Sequence, residues 1–217
     1  MTEGAARGVH PPAPVAAGTV GVFGGTFDPI HVGHLAVAEE AAEALGLEQV
    51  LFVPAGVPPH KPHGPVATGE DRLAMVELAI EGNPRFAASR IELDRPGPSY
   101  TADTLATLGG DRRRLSLILS VEAYRALPTW HEPRRVVEAA RLVVVPRDGF
   151  AEADPTALAA WFPDLPDVSA DAVFLDGPWL RLSASAIRAR LAAGRSIRYL
   201  VPDAVRAHID DHGCYRT

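Results

Sequence analysis

The sequence predicts an α/β fold in which a parallel β-sheet carries helices on both faces. Short, nearly continuous apolar runs alternate along the chain with segments whose apolar residues have helical spacing, which is typical of strands joined by crossover helices. The clearest runs occupy 50–53, 115–119 and 142–145. Such runs indicate strands that are buried on both faces of a sheet. We therefore expect a doubly wound, Rossmann-like architecture.

The first half of the chain is predicted to supply three strands and three helices. The strands are expected at 20–23, 50–53 and 86–93. Helices are expected from Leu35 to a stop at Gly46, from an N-cap at Thr68 to Gly82, and from a cap at Ser99 or Thr101 to Leu108. A hydroxyl before a helix and a glycine after it are the usual start and stop signals. The segment 55–67 holds four prolines and two glycines and is predicted to be a loop.

The second half is predicted to supply three more strands and five more helices. The strands are expected at 115–119, 142–145 and 172–175. Helices are expected at 122–127, at 133–140, at 155–161, from a cap at Ser183 to Ala193, and from Pro202 to a stop before Gly213. The pattern is least regular between 146 and 170, where only the short helix at 155–161 is expected.

Composition favours an intracellular globular protein. The chain has 217 residues and a formal charge of −6 without a long basic run, so nucleic acid is not an expected partner. The single cysteine, Cys214, rules out an internal disulfide and suits a reducing cytoplasm. No run approaches the ~20 apolar residues of a spanning helix, so no membrane association is expected. Residues 1–18 are expected to form a disordered leader and 19–217 a single domain, with a homo-oligomer left open.

The segment 24–34, GGTFDPIHVGH, is the richest in potential chemistry. It lies between the predicted strand at 20–23 and the first predicted helix. Free backbone N–H groups and the dipole of a helix N-terminus make such a turn an anion site. His31 and His34 are three residues apart and share a face if both lie in the first helical turn. The segment therefore predicts a nucleotide-phosphate site that contains two imidazoles, although a plain turn with capping histidines or a zinc pair would fit the same residues.

Several strings, taken in order, resemble the nucleotidyltransferase superfamily. Its H-x-G-H signature is similar to 24–34, and its second signature is similar to LSASAIR at 182–188. Three further strings resemble the bacterial nicotinate-nucleotide adenylyltransferases in particular: PPHK at 58–61, RPGPSYT at 95–101 and LPTWH at 127–131. The resemblance covers the chain from about residue 19 to its end.

The resemblance implies transfer of AMP from ATP to nicotinate mononucleotide, which gives deamido-NAD and pyrophosphate in NAD biosynthesis. Such a site has to align two polyanions and neutralise the charge that builds between them. The catalytic residues it implies are His31, His34, Lys61 and Arg188. Lys61 would bring a point charge to the phosphates, and Arg188 would hold a phosphate with its guanidinium fork beside a helix N-terminus.

The resemblance also implies which residues bind each substrate. The ATP site would consist of Gly24, Gly25, Thr26, Phe27, His34, Ser183, Ser185 and Arg188. The nicotinate nucleotide would be bound by Tyr100, Thr101 and Trp130, with the indole stacked on the pyridine and backbone N–H groups facing its carboxylate. Mg²⁺ would be carried mainly by ATP and water, and no metal site of the protein itself is expected.

Two strings depart from the family pattern. Ser120-Val121-Glu122 stands where Gly-x-Asp is usual, and Ala184-Ser185 replaces Ser-Thr. We expect activity to be retained, since Ser185 keeps a hydroxyl and Glu122 keeps a carboxylate. The alternatives are an adenylyltransferase for nicotinamide mononucleotide or phosphopantetheine, a non-catalytic nucleotide-binding module, and a zinc hydrolase.

Overall fold

The apolar runs of the chain pair side by side in a single six-stranded sheet. The computed structural model describes residues 18–59, 64–145, 153–177 and 180–215. The strands are β1 (Val20–Gly25), β2 (Gln49–Pro54), β3 (Phe86–Ala88), β4 (Leu115–Ser120), β5 (Arg141–Val145) and β6 (Val173–Phe174). Every pairing is parallel and the order is β3-β2-β1-β4-β5-β6. The order reverses between β1 and β4, which is the doubly wound arrangement that the sequence predicts.

Helices cover both faces of this sheet. Within the described residues they are α1 (Val32–Leu45), α2 (Gly69–Ile80), α3 (Thr101–Thr107), α4 (Val121–Ala126), α5 (Pro133–Ala139), α6 (Ala157–Trp161), α7 (Pro166–Asp171), α8 (Ala184–Ala192) and α9 (Asp203–Asp211). A short 3₁₀ turn, Leu127–Thr129, follows α4. None of these helices is long and apolar enough to cross a membrane.

The core has two layers, one on each face of the sheet. One layer contains buried residues of α1, α2, α8 and α9, and the other contains those of α3 to α7. Neighbouring residues of one strand serve different layers: Val143 and Val145 pack in the first, whereas Leu142 and Val144 pack in the second. This division explains why β5 is apolar at every one of these positions, since both of its faces are covered.

Most predicted boundaries of the helices agree with the structure, and the predicted caps at Gly46 and Thr68 are confirmed. Gly46 ends α1 with φ +61°, and the Thr68 hydroxyl accepts from the backbone N–H of Asp71. The predicted cap of α3 is wrong, because Tyr100 occupies the N-cap position without a side-chain bond. The Ser99 hydroxyl instead accepts from the backbone N–H groups of Gly56 and Val57.

Two other boundaries differ from the prediction, and one helix was not predicted at all. The third strand ends at Ala88 rather than Leu93, because β3 pairs only with 50–52 of β2 before the chain turns away. The helix α7, which begins with Pro166, was not predicted. α1 begins at Val32, earlier than the run that starts at Leu35, and this places His34 in its first turn. Residues 1–17 of the predicted leader lie outside the described residues.

Candidate active site

Two adjoining cavities open at the carboxyl ends of β1 and β4, where ligands of open α/β sheets bind. The histidine cavity, about 430 Å³, is lined by His31, His34, Ser183, Ser185 and Arg188. The tyrosine cavity, about 500 Å³, is lined by Tyr100 and Thr101. The two cavities share a wall made of Gly24, Gly25, Thr26, Ile118, Leu119 and Trp130. The other predicted ATP residues therefore line only the histidine cavity, Tyr100 and Thr101 line only the tyrosine cavity, and the predicted residues of the shared wall line both.

The two glycines that end β1 have different reasons to be glycine. A Cβ at Gly24 would meet no protein atom within 4 Å and would project into open space. A Cβ at Gly25 would lie 3.1–3.3 Å from three atoms of the Phe27 ring. Packing against Phe27 therefore explains why residue 25 is glycine. Gly24 instead leaves space free in the wall that the two cavities share.

The buried ring of Phe27 supports the glycine loop, residues 24–34. Its side chain is only 2% exposed and its backbone is left-handed, with φ +49°. The ring meets Phe23 edge-on at 5.7 Å and His34 at 5.1 Å between centroids. The predicted contact of Phe27 with ATP would therefore come mainly from its backbone, while its ring holds the histidine in place.

His31 and His34 stack on each other at the start of α1, with ring centroids 3.7 Å apart and an angle of 18° between planes. His31 is 5% exposed, whereas His34 is only partly buried. The backbone N–H of His31 donates to Nδ1 of His34 at 3.2 Å. Because Nδ1 accepts a hydrogen bond, the proton of a neutral His34 ring belongs on Nε2, which makes Nε2 a donor.

Gly33 makes this stack possible. A Cβ at Gly33 would lie 3.1 Å from Nδ1 and 3.2 Å from Cε1 of His31. Gly33 also lines the histidine cavity. The glycine of the H-x-G-H string therefore serves the packing of the first histidine.

Asp28 holds the glycine loop to distant parts of the chain. Its carboxylate, 2% exposed, accepts from the backbone N–H groups of Val66 at 2.9 Å and Ala67 at 3.1 Å and from the hydroxyl of Tyr215 at 2.9 Å. Burial and the nearby carboxylate raise the pKa of Tyr215, so the phenol stays a donor. These three bonds make Asp28 a positioning residue of the loop.

Arg188 reaches the same loop from α8. Its Nη1 donates to the carbonyl of Asp28 at 2.6 Å and lies 3.7 Å from the Asp28 carboxylate, while Nη2 donates to the Ser185 hydroxyl at 3.3 Å. Ser183 caps α8 by accepting from the backbone N–H of Ala186 at 3.2 Å. The guanidinium fork is thus fixed in direction at the wall of the histidine cavity, which suits it to hold a phosphate.

Arg72 is a buried positioning residue that the sequence did not single out. It is 1% exposed, and its Nη1 donates to the carbonyl of Thr26 at 2.9 Å while Nε donates to that of Ala67 at 3.4 Å. Burial lowers its pKa, which the charge of Asp28 opposes. The one signal in the sequence was a charged residue beside Leu73 within the apolar stripe of α2.

The tyrosine cavity presents aromatic and backbone groups. Tyr100 stacks on His131 at 4.1 Å between centroids with an angle of 23°, a pair that the sequence did not predict. The backbone N–H of Tyr100 donates to the carbonyl of Pro98 at 3.1 Å. Both backbone N–H groups were predicted to face the nicotinate carboxylate. Because the N–H of Tyr100 already has an acceptor within the protein, the N–H of Thr101 is the better candidate for that role. Trp130 follows the 3₁₀ turn and borders both cavities.

Two hydroxyl groups that line this cavity make hydrogen bonds within the protein, one of them with the proline-rich loop, residues 55–67. The Ser99 hydroxyl accepts from Gly56 at 2.9 Å and from Val57 at 3.2 Å. Deeper in the cavity, the hydroxyl of Thr104 donates to the buried carboxylate of Glu92 at 2.6 Å. Sequence analysis missed Glu92 and Thr104, because neither belongs to a recognisable string and their proximity depends on the turn between β3 and α3.

The first departing string and two of the tryptophans complete the description of the site and its surroundings. Ser120, in the first departing string, caps α4 by accepting from the backbone N–H of Ala123 and lines the histidine cavity. Trp161 packs on Tyr124 at 5.2 Å between ring centroids. Lys61 and Trp179 lie outside the described residues.

Comparison with known proteins indicates the family of the chain. A family model described as cytidylyltransferase-like matches residues 22–190. The probable nicotinate-nucleotide adenylyltransferase of Roseiflexus sp. (strain RS-1) is 49% identical over 203 residues, covering 93% of this chain and 100% of the relative. Its counterpart in Thermus thermophilus is 46% identical over 199 residues, covering 91% of this chain and 99% of the relative.

A solved structure shares the fold at low sequence identity. The Plasmodium falciparum nicotinic acid mononucleotide adenylyltransferase complexed with NaAD has a TM-score of 0.73 and 17% identity, covering 91% of this chain and 97% of its own. The family model and the two relatives, which align over nearly their whole length, determine the family, whereas the solved structure supports the fold. The chain belongs to the cytidylyltransferase-like family and, within it, to the nicotinate-nucleotide adenylyltransferases.

Proposed function

We propose that the protein transfers the adenylyl group of ATP to the phosphate of nicotinate mononucleotide, releasing pyrophosphate and deamido-NAD. The observation that carries the proposal is the pair of cavities with a common glycine wall. An adenylyl transfer needs two nucleotides whose phosphates meet at one point, and two adjoining spaces that share lining residues would provide such a point. The relatives named above carry the same activity in their names.

In this proposal an oxygen of the nicotinate nucleotide's phosphate attacks the α-phosphorus of ATP, and the bond from that phosphorus to the β-phosphate bridging oxygen breaks. The attacking group is already an anion, so no side chain has to remove a proton. What the site must supply is alignment and positive charge around the transferring group. No covalent intermediate with the protein is required.

The histidine cavity would hold the triphosphate. Nε2 of His34 donates to the α-phosphate, with His31 stacked behind the ring to fix its direction. Arg188, held by Asp28 and Ser185, faces the phosphates from α8. The backbone of Gly24 and Gly25, together with Thr26, Phe27 and the hydroxyl groups of Ser183 and Ser185, would complete the cradle. Lys61 would add a further charge from the proline-rich loop.

The tyrosine cavity would hold the nicotinate. Trp130 would offer a flat surface for the pyridine ring, and Thr101, which also lines this cavity, would donate from its backbone N–H to the carboxylate. This arrangement makes acid selectivity a matter of hydrogen bonding at one group, since an amide presents donors where a carboxylate presents acceptors.

Mg²⁺ is proposed to enter with ATP. The one carboxylate within 24–34 is that of Asp28, and its oxygens accept from three donors inside the protein. A dedicated magnesium cage needs available carboxylate oxygens, whereas triphosphate oxygens and water satisfy the ion without one. The ion would neutralise charge on the phosphates, and we expect the reaction to take place in the cytoplasm.

An acceptor panel tests the proposal. The protein is incubated with ATP and Mg²⁺ and with nicotinate mononucleotide, nicotinamide mononucleotide or phosphopantetheine, and pyrophosphate release is measured. We expect the highest kcat/KM with nicotinate mononucleotide. A preference for phosphopantetheine would overturn the assignment of the tyrosine cavity, and ATP binding without turnover on any acceptor would indicate a non-catalytic module.

A further inference from the structure

A cluster of three potential metal ligands lies outside both cavities, between α2 and the end of the chain. Asp71 belongs to the first turn of α2, His208 to the last turn of α9, and Cys214 follows that helix. One oxygen, one ring nitrogen and the sulfur lie within 4.8 Å of one another. We propose that Asp71, His208 and Cys214 bind a zinc-like divalent transition-metal ion with a water molecule as the fourth ligand.

The distances suit a tetrahedral ion of this size. With metal–ligand bonds of about 2.0–2.3 Å, the ligand atoms of a tetrahedral site lie about 3.3–3.8 Å apart. The Asp71 Oδ1 to His208 Nε2 distance is already 3.3 Å. Closure around an ion thus requires only that the sulfur move inward, by roughly 1 Å at most on the same bond lengths.

Each ligand is held by a second interaction of its own. The hydroxyl of Thr68 donates to the other carboxylate oxygen of Asp71 at 2.6 Å. The ring of His208 stacks on that of His212 at 4.0 Å between centroids. The backbone N–H of Cys214 donates to the carbonyl of Ile209 at 3.1 Å, which fixes the turn that presents the sulfur. Such outer contacts orient metal ligands and restrict their motion before an ion arrives.

The chemistry of the donors selects the class of ion. Thiolate, imidazole and carboxylate together suit Zn²⁺ or Co²⁺, whereas Mg²⁺ and Ca²⁺ favour oxygen ligands alone. His208 and Asp71 have side chains only 11% and 24% exposed, so a bound ion would keep contact with water while being gripped by the protein. The open fourth position is consistent with that setting.

The position of the cluster indicates a structural effect. Cys214 adjoins Tyr215, whose hydroxyl donates to Asp28 beneath the glycine loop. An ion at this place would fasten the end of the chain to α2. No sequence pattern indicated the cluster, because Asp71 and His208 are separated by 137 positions and no short ligand string is present.

Cobalt provides the sharpest test, because Cys214 is the only cysteine of the chain. The full-length protein without a histidine tag is titrated with Co²⁺, and its absorption is recorded. We expect one equivalent to bind with tetrahedral d–d bands and a thiolate-to-cobalt charge-transfer band. Such a band can come only from Cys214. Its absence in the unsubstituted protein would overturn the proposal, whether or not any variant folds.

Variants and zinc-dependent stability complete the test. Cys214→Ser should abolish the charge-transfer band, and Cys214→Ser and His208→Gln should each weaken Zn²⁺ binding by at least about tenfold. Asp211→Asn, which changes an exposed carboxylate of α9 outside the cluster, is the control and should bind like the unsubstituted protein. Zn²⁺ at about a hundred times its Kd should raise the Tm by about 5–10 °C. Equal zinc affinity in Cys214→Ser, or no zinc-dependent shift in Tm, would contradict the site.

Discussion

The hydroxyl of Tyr215 donates a 2.9 Å hydrogen bond to the carboxylate of Asp28, 187 positions earlier in the chain. The bond is buried and joins the C-terminal end of the described chain to the turn that follows β1. The same aspartate meets Arg188 through both its carbonyl and its carboxylate. Through Asp28, Tyr215 therefore helps to position Arg188, the residue proposed to bind a phosphate.

Tyr215→Phe tests this link. The substitution keeps the ring and removes a donor to a buried carboxylate, so the free energy of unfolding should fall by about 1.5–3 kcal/mol. The KM for ATP should also rise, because Asp28 and Arg188 lose a constraint. Urea denaturation and initial rates measure the two effects. Tyr199→Phe is the control, since Tyr199 is 82% exposed and should change neither quantity. Unchanged stability in Tyr215→Phe would show that the bond has little weight.

His34 has two roles that substitutions can separate. Its Nδ1 accepts from the backbone of His31, and its Nε2 is the proposed phosphate donor. His34→Ala should lower kcat by about 10²–10³-fold, as expected for the loss of one donor to a developing charge. His34→Asn can keep the acceptor near the position of Nδ1 without a donor at Nε2, so it should restore stability but not turnover. Recovery of turnover in His34→Asn would limit His34 to a capping role.

Gly24 and Gly25 form a matched pair. Gly24→Ala adds a methyl group to open space, so the fold should be retained, whereas kcat/KM should fall by up to about 10²-fold because reacting groups are displaced. Gly25→Ala forces a methyl group against the Phe27 ring and should destabilise the protein by about 1–3 kcal/mol. Thermal unfolding and initial rates distinguish the two. Full activity in Gly24→Ala would mean that no substrate approaches this part of the wall.

Trp130 should contribute mainly to acceptor binding. Loss of aromatic stacking on a base costs about 1–3 kcal/mol, so Trp130→Ala should weaken nicotinate mononucleotide binding by about tenfold or more. Trp161→Phe is the comparison, because Trp161 packs on Tyr124 instead of lining either cavity. Isothermal titration measures the affinities. Equal affinity in the unsubstituted protein and Trp130→Ala would remove the indole from the acceptor site.

Local signals in the sequence carried much of the fold and part of the site. Apolar runs predicted the inner strands, because a strand buried on both faces has to be apolar at successive positions. Glycine and threonine signals placed the end of α1 and the start of α2 correctly. The histidines, Arg188 and Trp130 came from short strings, and the structure brings them to the edges of two neighbouring cavities.

The residues that sequence reasoning missed act through long-range contacts. Arg72 meets Thr26 across 46 positions, and Tyr215 meets Asp28 across 187. No periodicity encodes such pairs, since each depends on how distant elements pack. Ser99 was expected to cap a helix, but its hydroxyl instead binds the loop at Gly56. Propensity describes the neighbourhood of a residue along the chain, whereas these partners are neighbours only in space.

The central claim is that two cavities with one glycine wall hold the two substrates at the same time. The most direct measurement is the equilibrium binding of nicotinate mononucleotide to the protein in a buffer that contains Mg²⁺, with and without a saturating, non-transferable ATP analogue. We predict that nicotinate mononucleotide still binds with one equivalent in the presence of the analogue, which indicates a ternary complex. Competitive displacement of nicotinate mononucleotide by the analogue would contradict the claim.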